Sequence, residues 1–200
     1  FASGLAVWML GFGLSAYAGS QLVGLRIEGF DPLAFGLTPA MLLAVVLVPV
    51  IGTWLYTTRS GLRWRAVGES PDTVRAAGLS PTRLIAAGVL AGGLLSGLGG
   101  AALSVDYTRT WAEGMTAGRG LVAVGLVIVA RWNPWLALPA ALVFGLAEAL
   151  SLRLQAADVA VSAHLLHTLP YLVSLAVFVV TCLRLGEGGA PAALKKLLDR

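Results

Sequence analysis

Charge is the scarcest property of this chain: only 12% of its 200 residues are Asp, Glu, Lys or Arg, against 58% hydrophobic residues. That is about half the charged share of a soluble domain, and the mean hydropathy is +0.84. So little polar surface cannot cover a folded chain in water, which makes lipid the expected solvent of its exterior. Lysine is nearly absent, with Lys195 and Lys196 the only two. A Gly-x-x-x-x-Gly-Lys-Ser/Thr loop is therefore excluded, and with it self-sufficient binding of ATP phosphates. A lysine for a Schiff base within the membrane is missing too. A single cysteine, Cys182, rules out an internal disulfide and leaves the redox compartment open. Among the apolar stretches the only carboxylate is Glu148, whereas proton-coupled carriers place several acids or histidines at mid-membrane. No signal-peptide pattern opens the chain, which starts at Phe1 inside an apolar run, so an upstream portion is expected.

What is present is a series of stretches suited to a bilayer. About 20 apolar residues are needed to cross its hydrocarbon core. Candidates are Phe1–Ala18, Pro39–Tyr56, Leu84–Val105, Pro134–Leu152 and Leu169–Leu185, with a shorter run at Leu121–Ala130. The short run reaches only about 15 Å as a helix. It must borrow Thr116–Gly120 to span or else re-enter, which is permitted only where protein or water surrounds it. With all six crossing, Arg59–Arg83, Arg131–Asn133 and Arg184–Arg200 share one side, which carries 10 basic residues against 4 (Arg26, Arg109, Arg119 and Arg153) on the other. The positive-inside rule makes the first side cytoplasmic. The expected fold is an all-α, polytopic transmembrane bundle of about six spanning segments, one short or re-entrant. Gly88, Gly92, Gly93 and Gly97 recur at intervals that allow close helix packing; a moving contact along a pathway is the alternative.

Isolated polar residues in these stretches give weaker signals. Glu148 is either an intramembrane acid with a function or a headgroup-depth partner of Arg153. His164 and His167 are neighbours on a helix but lack a third ligand nearby, and no metal site is expected. Ser96, in Leu-Leu-Ser-Gly, lacks the preceding glycine of an intramembrane serine protease.

The polar stretch Arg59–Arg83 is the most informative. Ser70 is a favourable N-cap and Pro71 suits the first helical position. Asp72 lies in the first turn, where the helix dipole favours an anion, and Gly78 supplies the left-handed residue that ends a helix. A helix of about two turns, Pro71–Ala77, is predicted, with Ser80-Pro81 launching the next membrane segment. So short a helix is not stable alone. It either lies on the chain's own inner face or the lipid surface, or docks on a cytoplasmic partner. In the docking case Val74, Ala76 and Ala77 enter a groove and Glu69, Asp72 and Arg75 form the rim. A second polar cluster, Thr108, Arg109, Thr110, Trp111, Glu113, Thr116 and Arg119, lies on the opposite side. Hydroxyls beside an aromatic face suit uncharged sugars and nucleosides; docking of an outer protein and a purely structural role are the alternatives. A tail helix is read over Ala190–Leu198.

The run Leu62-Arg63-Trp64-Arg65-Ala66-Val67-Gly68-Glu69-Ser70-Pro71, with Ala76-Ala77-Gly78-Leu79, resembles the coupling loop of ABC importer permeases of the branched-chain amino acid/ribose superfamily. Glu113–Gly120, Arg131-Trp132-Asn133-Pro134, Phe144–Leu150, Leu152–Gln155 and Leu169–Leu172 are similar to its BMP (basic membrane lipoprotein) branch, whose members import nucleosides. The resemblance implies a single transmembrane permease domain over residues 1–200, lacking N-terminal helices of the longer family members. Within it, residues 59–83 are the coupling loop, with Gly68, Glu69, Ser70, Pro71, Asp72, Val74, Arg75, Ala76, Ala77 and Gly78 meeting an ATPase. It further implies a multi-pass protein of the bacterial cytoplasmic membrane with a cytoplasmic C-terminus. Implied partners are ATP-binding subunits that hold ATP-Mg, a second permease subunit in a heterodimer, and an extracytoplasmic substrate-binding lipoprotein. No cofactor on this chain, no enzyme activity of its own and no nucleic acid are implied. Import of sugars or branched-chain amino acids, or ion-coupled carriage through Glu148, are the alternatives.

Overall fold

The computed structural model describes residues 2–31, 33, 36–116, 118–157, 163–185 and 191–193, apart from the side chains of residues 2, 163–167, 169, 181, 182, 184 and 185. Eight α-helices follow one another among the described residues: α1 (Ala2–Gly19), α2 (Pro39–Thr57), α3 (Arg59–Glu69), α4 (Pro71–Ala76), α5 (Pro81–Ala102), α6 (Arg119–Val129), α7 (Pro134–Ala156) and α8 (Ala163–Leu185). No strand occurs among these residues, so the fold is the all-α bundle expected. The read tail helix Ala190–Leu198 falls almost wholly outside the described residues.

Among the described residues three helices are long and apolar enough to cross a membrane: α2, α5 with its extension to Tyr107, and α7. Leu84–Val105 of the sequence reading is thus longer at both ends. It begins at Pro81 and passes beyond Ala102 into a π-turn, Leu103–Tyr107. Of Thr116–Gly120 the short run borrows only Arg119 and Gly120. Helix α6 starts at Arg119 and has 11 residues, about 16 Å of rise, roughly half the hydrocarbon thickness.

The chain divides into two compact units. The first holds Phe1–Leu43 and Leu90–Arg119, and the second Ala44–Val89 and Gly120–Arg200. In the first, the connection after α1 pairs with the connection after α5 through bridges Val23–Trp111 and Arg26–Thr110, and the Ile27 N–H donates to the Arg109 carbonyl at 3.0 Å. Gly19 is buried because the Trp111 indole fills the space a β-carbon would take.

In the second unit α7 packs on α8, with Phe144 edge-on to Tyr171 at 6.2 Å. The reversal from α6 into α7 explains the Arg-Trp-Asn-Pro run. Arg131 and Trp132 both adopt left-handed backbone (φ 54° and 55°), and the Trp132 N–H reaches back to the Val127 carbonyl at 3.1 Å, the longer bond of a Schellman ending. Asn133 then caps α7 by accepting from the Trp135 N–H, and Pro134 takes the first position. The Trp135 indole lies across Gly52 of α2, where an added β-carbon would meet it at 3.0 Å.

Few side chains are buried. The apolar window of α5 contains no buried residue, and Gly88, Gly92, Gly93 and Gly97 have nothing within 4 Å of an added β-carbon. These glycines therefore do not pack against described residues of their own chain.

Candidate functional site

The Arg59–Arg83 segment holds two helices rather than the one read from sequence. Thr58 caps α3 by accepting from the Gly61 N–H at 3.0 Å. Helix α3 then folds tightly against the end of α2. Gly61 is buried, and a β-carbon there would fall on the Trp54 carbonyl oxygen and the Leu55 backbone. Trp54 and Trp64 meet edge to face at 5.1 Å, and the Arg65 guanidinium lies 4.7 Å over the Tyr56 ring. These contacts join α3 to α2 as one piece.

Ser70 ends α3 and starts α4. Its hydroxyl oxygen accepts from the Thr73 N–H at 3.3 Å and from the Thr73 hydroxyl at 2.9 Å. Pro71 opens the helix, Asp72 lies in its first turn, and Ala77 is the C-cap. Gly78 follows with φ 77°, and the Leu79 N–H closes the end on the Val74 carbonyl at 3.2 Å. Each capping element read from sequence is in place, although the helix stops at Ala76.

The reading of Val74 as an outward contact needs correction, because it is only 4% exposed. A helix of six residues has few groups to hold it down, and its one branched apolar side chain serves that purpose. The outward face is instead Asp72, Thr73, Arg75, Ala76 and Ala77, all exposed, with Asp72 and Arg75 ion-paired at 2.9 Å. Glu69 lies beside the tail, where Oε2 accepts from the Ala192 N–H at 3.2 Å. Gly68 faces Pro191.

The second cluster separates into three places. Trp111, Glu113 and Thr116 line a cavity of about 280 Å³ together with Phe12 and Ser15 of α1 and Ser104 of the π-turn. That volume is near the lower end for small-molecule sites. Thr108 and Arg109 line a separate cleft with Arg26 and Glu28. Arg109 is held there in a left-handed backbone (φ 52°) with its guanidinium against Gly29. Arg119 lies 5.2 Å over the Tyr107 ring. Phe12, Ser15 and Ser104 were not singled out from sequence, since nothing local ties α1 to a loop a hundred residues later.

Asp106 was also missed. It sits on the helical π-turn and takes a hydrogen bond from the Thr38 hydroxyl. Glu148 is half-buried on α7, and the buried Ser151 donates to its backbone carbonyl at 2.9 Å. The side chains of His164 and His167 lie outside the described residues. No group of three or more potential metal ligands occurs among the described residues.

Residues 3–182 match the family described as branched-chain amino acid transport system / permease component. A putative glucose ABC transporter permease of Haloferax volcanii is 32% identical, over 91% of this chain and 66% of that protein. A nucleoside ABC transporter permease of Lactococcus lactis subsp. cremoris is 35% identical over 54% of this chain and 34% of its own length. A guanosine ABC transporter permease of Bacillus subtilis is 33% identical over 56% of this chain and 35% of its own. The chain thus spans from about a third to just under two thirds of the length of these relatives. No solved structure matches it.

Proposed function

Because the chain belongs to the family of permease components of branched-chain amino acid transport systems, we propose that it is the membrane-spanning subunit of an ATP-driven ABC importer for nucleosides or a related small polar solute. The observation that carries this reading is α4: a doubly capped helix, anchored by Val74, whose exposed face offers Asp72, Thr73, Arg75, Ala76 and Ala77. A cytoplasmic ATP-binding subunit is the partner such a face fits. Closure of two such subunits around ATP-Mg would displace α4, and the Gly61 and tryptophan contacts would carry that displacement into α2 without slack. The chain has no phosphate-binding lysine loop of its own and is a transporter subunit rather than an enzyme.

Arg59–Arg83 and the C-terminus are then cytoplasmic in a multi-pass protein of the cytoplasmic membrane. A second permease subunit completes the pathway, and an extracytoplasmic lipoprotein delivers the solute. The cavity at Trp111 fits the solute's chemistry. An indole and the Phe12 ring offer faces to a base or sugar ring, and Ser15, Ser104, Thr116 and Glu113 offer polar partners for hydroxyls.

Purification from native membranes tests the assignment. An ATP-binding subunit and a lipoprotein should co-purify with the parent chain, and deletion of Pro71–Ala77 should release the ATP-binding subunit while leaving the chain in the membrane. Uptake that persists without any partner ATPase would refute it, as would uptake abolished by a protonophore at constant ATP together with a dead Glu148→Gln variant. A hexose is the second reading of the solute, supported by the greater coverage of the glucose-permease relative. Labelled guanosine uptake competed by adenosine but not by glucose would separate the two.

A further inference from the structure

Thr38 and Asp106 are 68 positions apart in sequence yet share a hydrogen bond, the Thr38 hydroxyl donating to Asp106 Oδ2. Thr38 immediately precedes α2, and the same hydroxyl oxygen accepts from the Met41 N–H at 3.4 Å. Asp106 thus closes the N-terminal end of α2, where the helix dipole favours an anion. Its own position is set by the π-turn: the Thr108 N–H and the Thr108 hydroxyl both donate to the Leu103 carbonyl, each at 2.9 Å. Such turns insert one extra residue and are frequent at functional sites.

The two helices joined here are those that flank the α3–α4 segment. Helix α2 runs 19 residues from this bond to α3, about 28 Å, close to the hydrocarbon thickness. Helix α5 begins just after α4, at Pro81, and reaches Asp106 through the π-turn. One side-chain bond therefore ties the ends of α2 and α5 that are remote in sequence from α4.

Asp106 Oδ1 is buried without a hydrogen-bond partner among the described residues. An unsatisfied buried acceptor destabilises the state that contains it, so a movement that gave Oδ1 a partner would favour release. The π-turn supplies a route to release. If the Thr108 N–H moved from the Leu103 carbonyl to that of Ser104, the turn would return to α-helical register, and the one-residue shift would re-aim Asp106.

We propose that Thr38 and Asp106 form a latch between the remote ends of α2 and α5, closed in this conformation and released in each transport cycle. The proposal rests on the reading of α4 as the ATPase-coupling helix. Thr38 and Asp106 are positioning residues; neither is assigned contact with solute.

The test uses the assembled transporter in proteoliposomes, with Cys182→Ser as background and the Thr38→Cys/Asp106→Cys pair added. Copper phenanthroline should cross-link the pair at least fivefold faster without nucleotide than in the ATP-vanadate-trapped state. The parent complex is assayed alongside for ATP hydrolysis. Equal cross-linking rates in a complex that hydrolyses ATP overturn the latch and leave the coupling reading intact. If no ATP-hydrolysing complex assembles around the parent chain, the coupling reading fails and the latch with it. Thr38→Val supplies a second measurement, because it removes the donor and should raise ATP hydrolysis without solute at least twofold, with Thr38→Ser restoring the parent rate. A Thr38→Val complex that assembles and hydrolyses at the parent rate also overturns the latch.

Discussion

Replacing Ser70 by alanine removes the group that starts α4. The Ser70 oxygen accepts from both the Thr73 N–H and the Thr73 hydroxyl, so Ser70→Ala leaves a first-turn N–H without its acceptor. Loss of a serine cap costs about 1 kcal/mol, within roughly 0.5–2. In a helix of six residues there is little else to absorb that cost, because isolated helices this short do not hold themselves. An energy of about 1 kcal/mol corresponds to roughly a fivefold rise in the opened population. Hydrogen exchange reads this directly at Val74, Ala77, Gly78 and Leu79, whose N–H groups bond within the helix and its ending at 3.3, 3.1, 3.0 and 3.2 Å. In the purified chain these amides should exchange about fivefold faster in Ser70→Ala, while amides of α7 stay unchanged. Ser70→Asp, which caps as well as serine, should restore the parent rates. Parent-like exchange in Ser70→Ala, or rates in Ser70→Asp as fast as in the alanine variant, would refute the view that the cap holds α4.

Gly61→Ala should destabilise the chain by about 1–3 kcal/mol, because the new methyl meets backbone atoms of Trp54 and Leu55 that cannot swing aside; a thermal melt equal to the parent's would show that α3 does not lie so close to α2. Gly78→Ala places a side chain in left-handed backbone (φ 77°) at a cost of about 1–2 kcal/mol, and Gly78→Asn should cost less, both visible as faster exchange at Leu79. Trp111→Ala should raise the KM for solute about tenfold, the equivalent of about 1.4 kcal/mol of lost contact, with kcat nearly unchanged; an unaltered KM would remove the cavity from the solute's path. Asp72→Asn breaks an exposed ion pair that adds little to stability, so the melt should not move, and a drop in co-purified ATP-binding subunit would place Asp72 on the docking rim.

How far the chain could be read in advance depended on the range of the physics involved. The caps of α4 were legible because Ser70, Pro71 and Gly78 act within a few residues of themselves. Class and fold were legible from the shortage of charge. Helix α3 was not, since its arginines read as loop and its reason for folding, the approach of Gly61 to Trp54 and Leu55, is tertiary. Val74 was assigned outward because spacing on so short a helix cannot say which apolar residue faces home. Trp111, Glu113 and Thr116 were found together, whereas Thr108 and Arg109 lie in another cleft, on the far side of the bridged residues Thr110 and Trp111 in sequence and next to the left-handed turn at Arg109. Asp106 escaped because a π-turn shifts register by one residue, and apolar periodicity carries no mark of that shift.

The bare face of α5 bears on how any measured stability of this chain should be understood. With no buried residue in its apolar window and no described residue within 4 Å of a β-carbon added at any of four glycines, α5 leaves most of its surface to whatever surrounds the described residues. Within a bilayer, association of such a face is driven by close packing rather than by escape from water. A melting temperature recorded in detergent is therefore a property of the chain and its solvent shell together, and it should shift with detergent chain length more than with most point substitutions. The same holds for assembly: a neighbouring helix seated on Gly88, Gly92, Gly93 and Gly97 acts as a ligand of the folded state, raising its apparent stability by mass action.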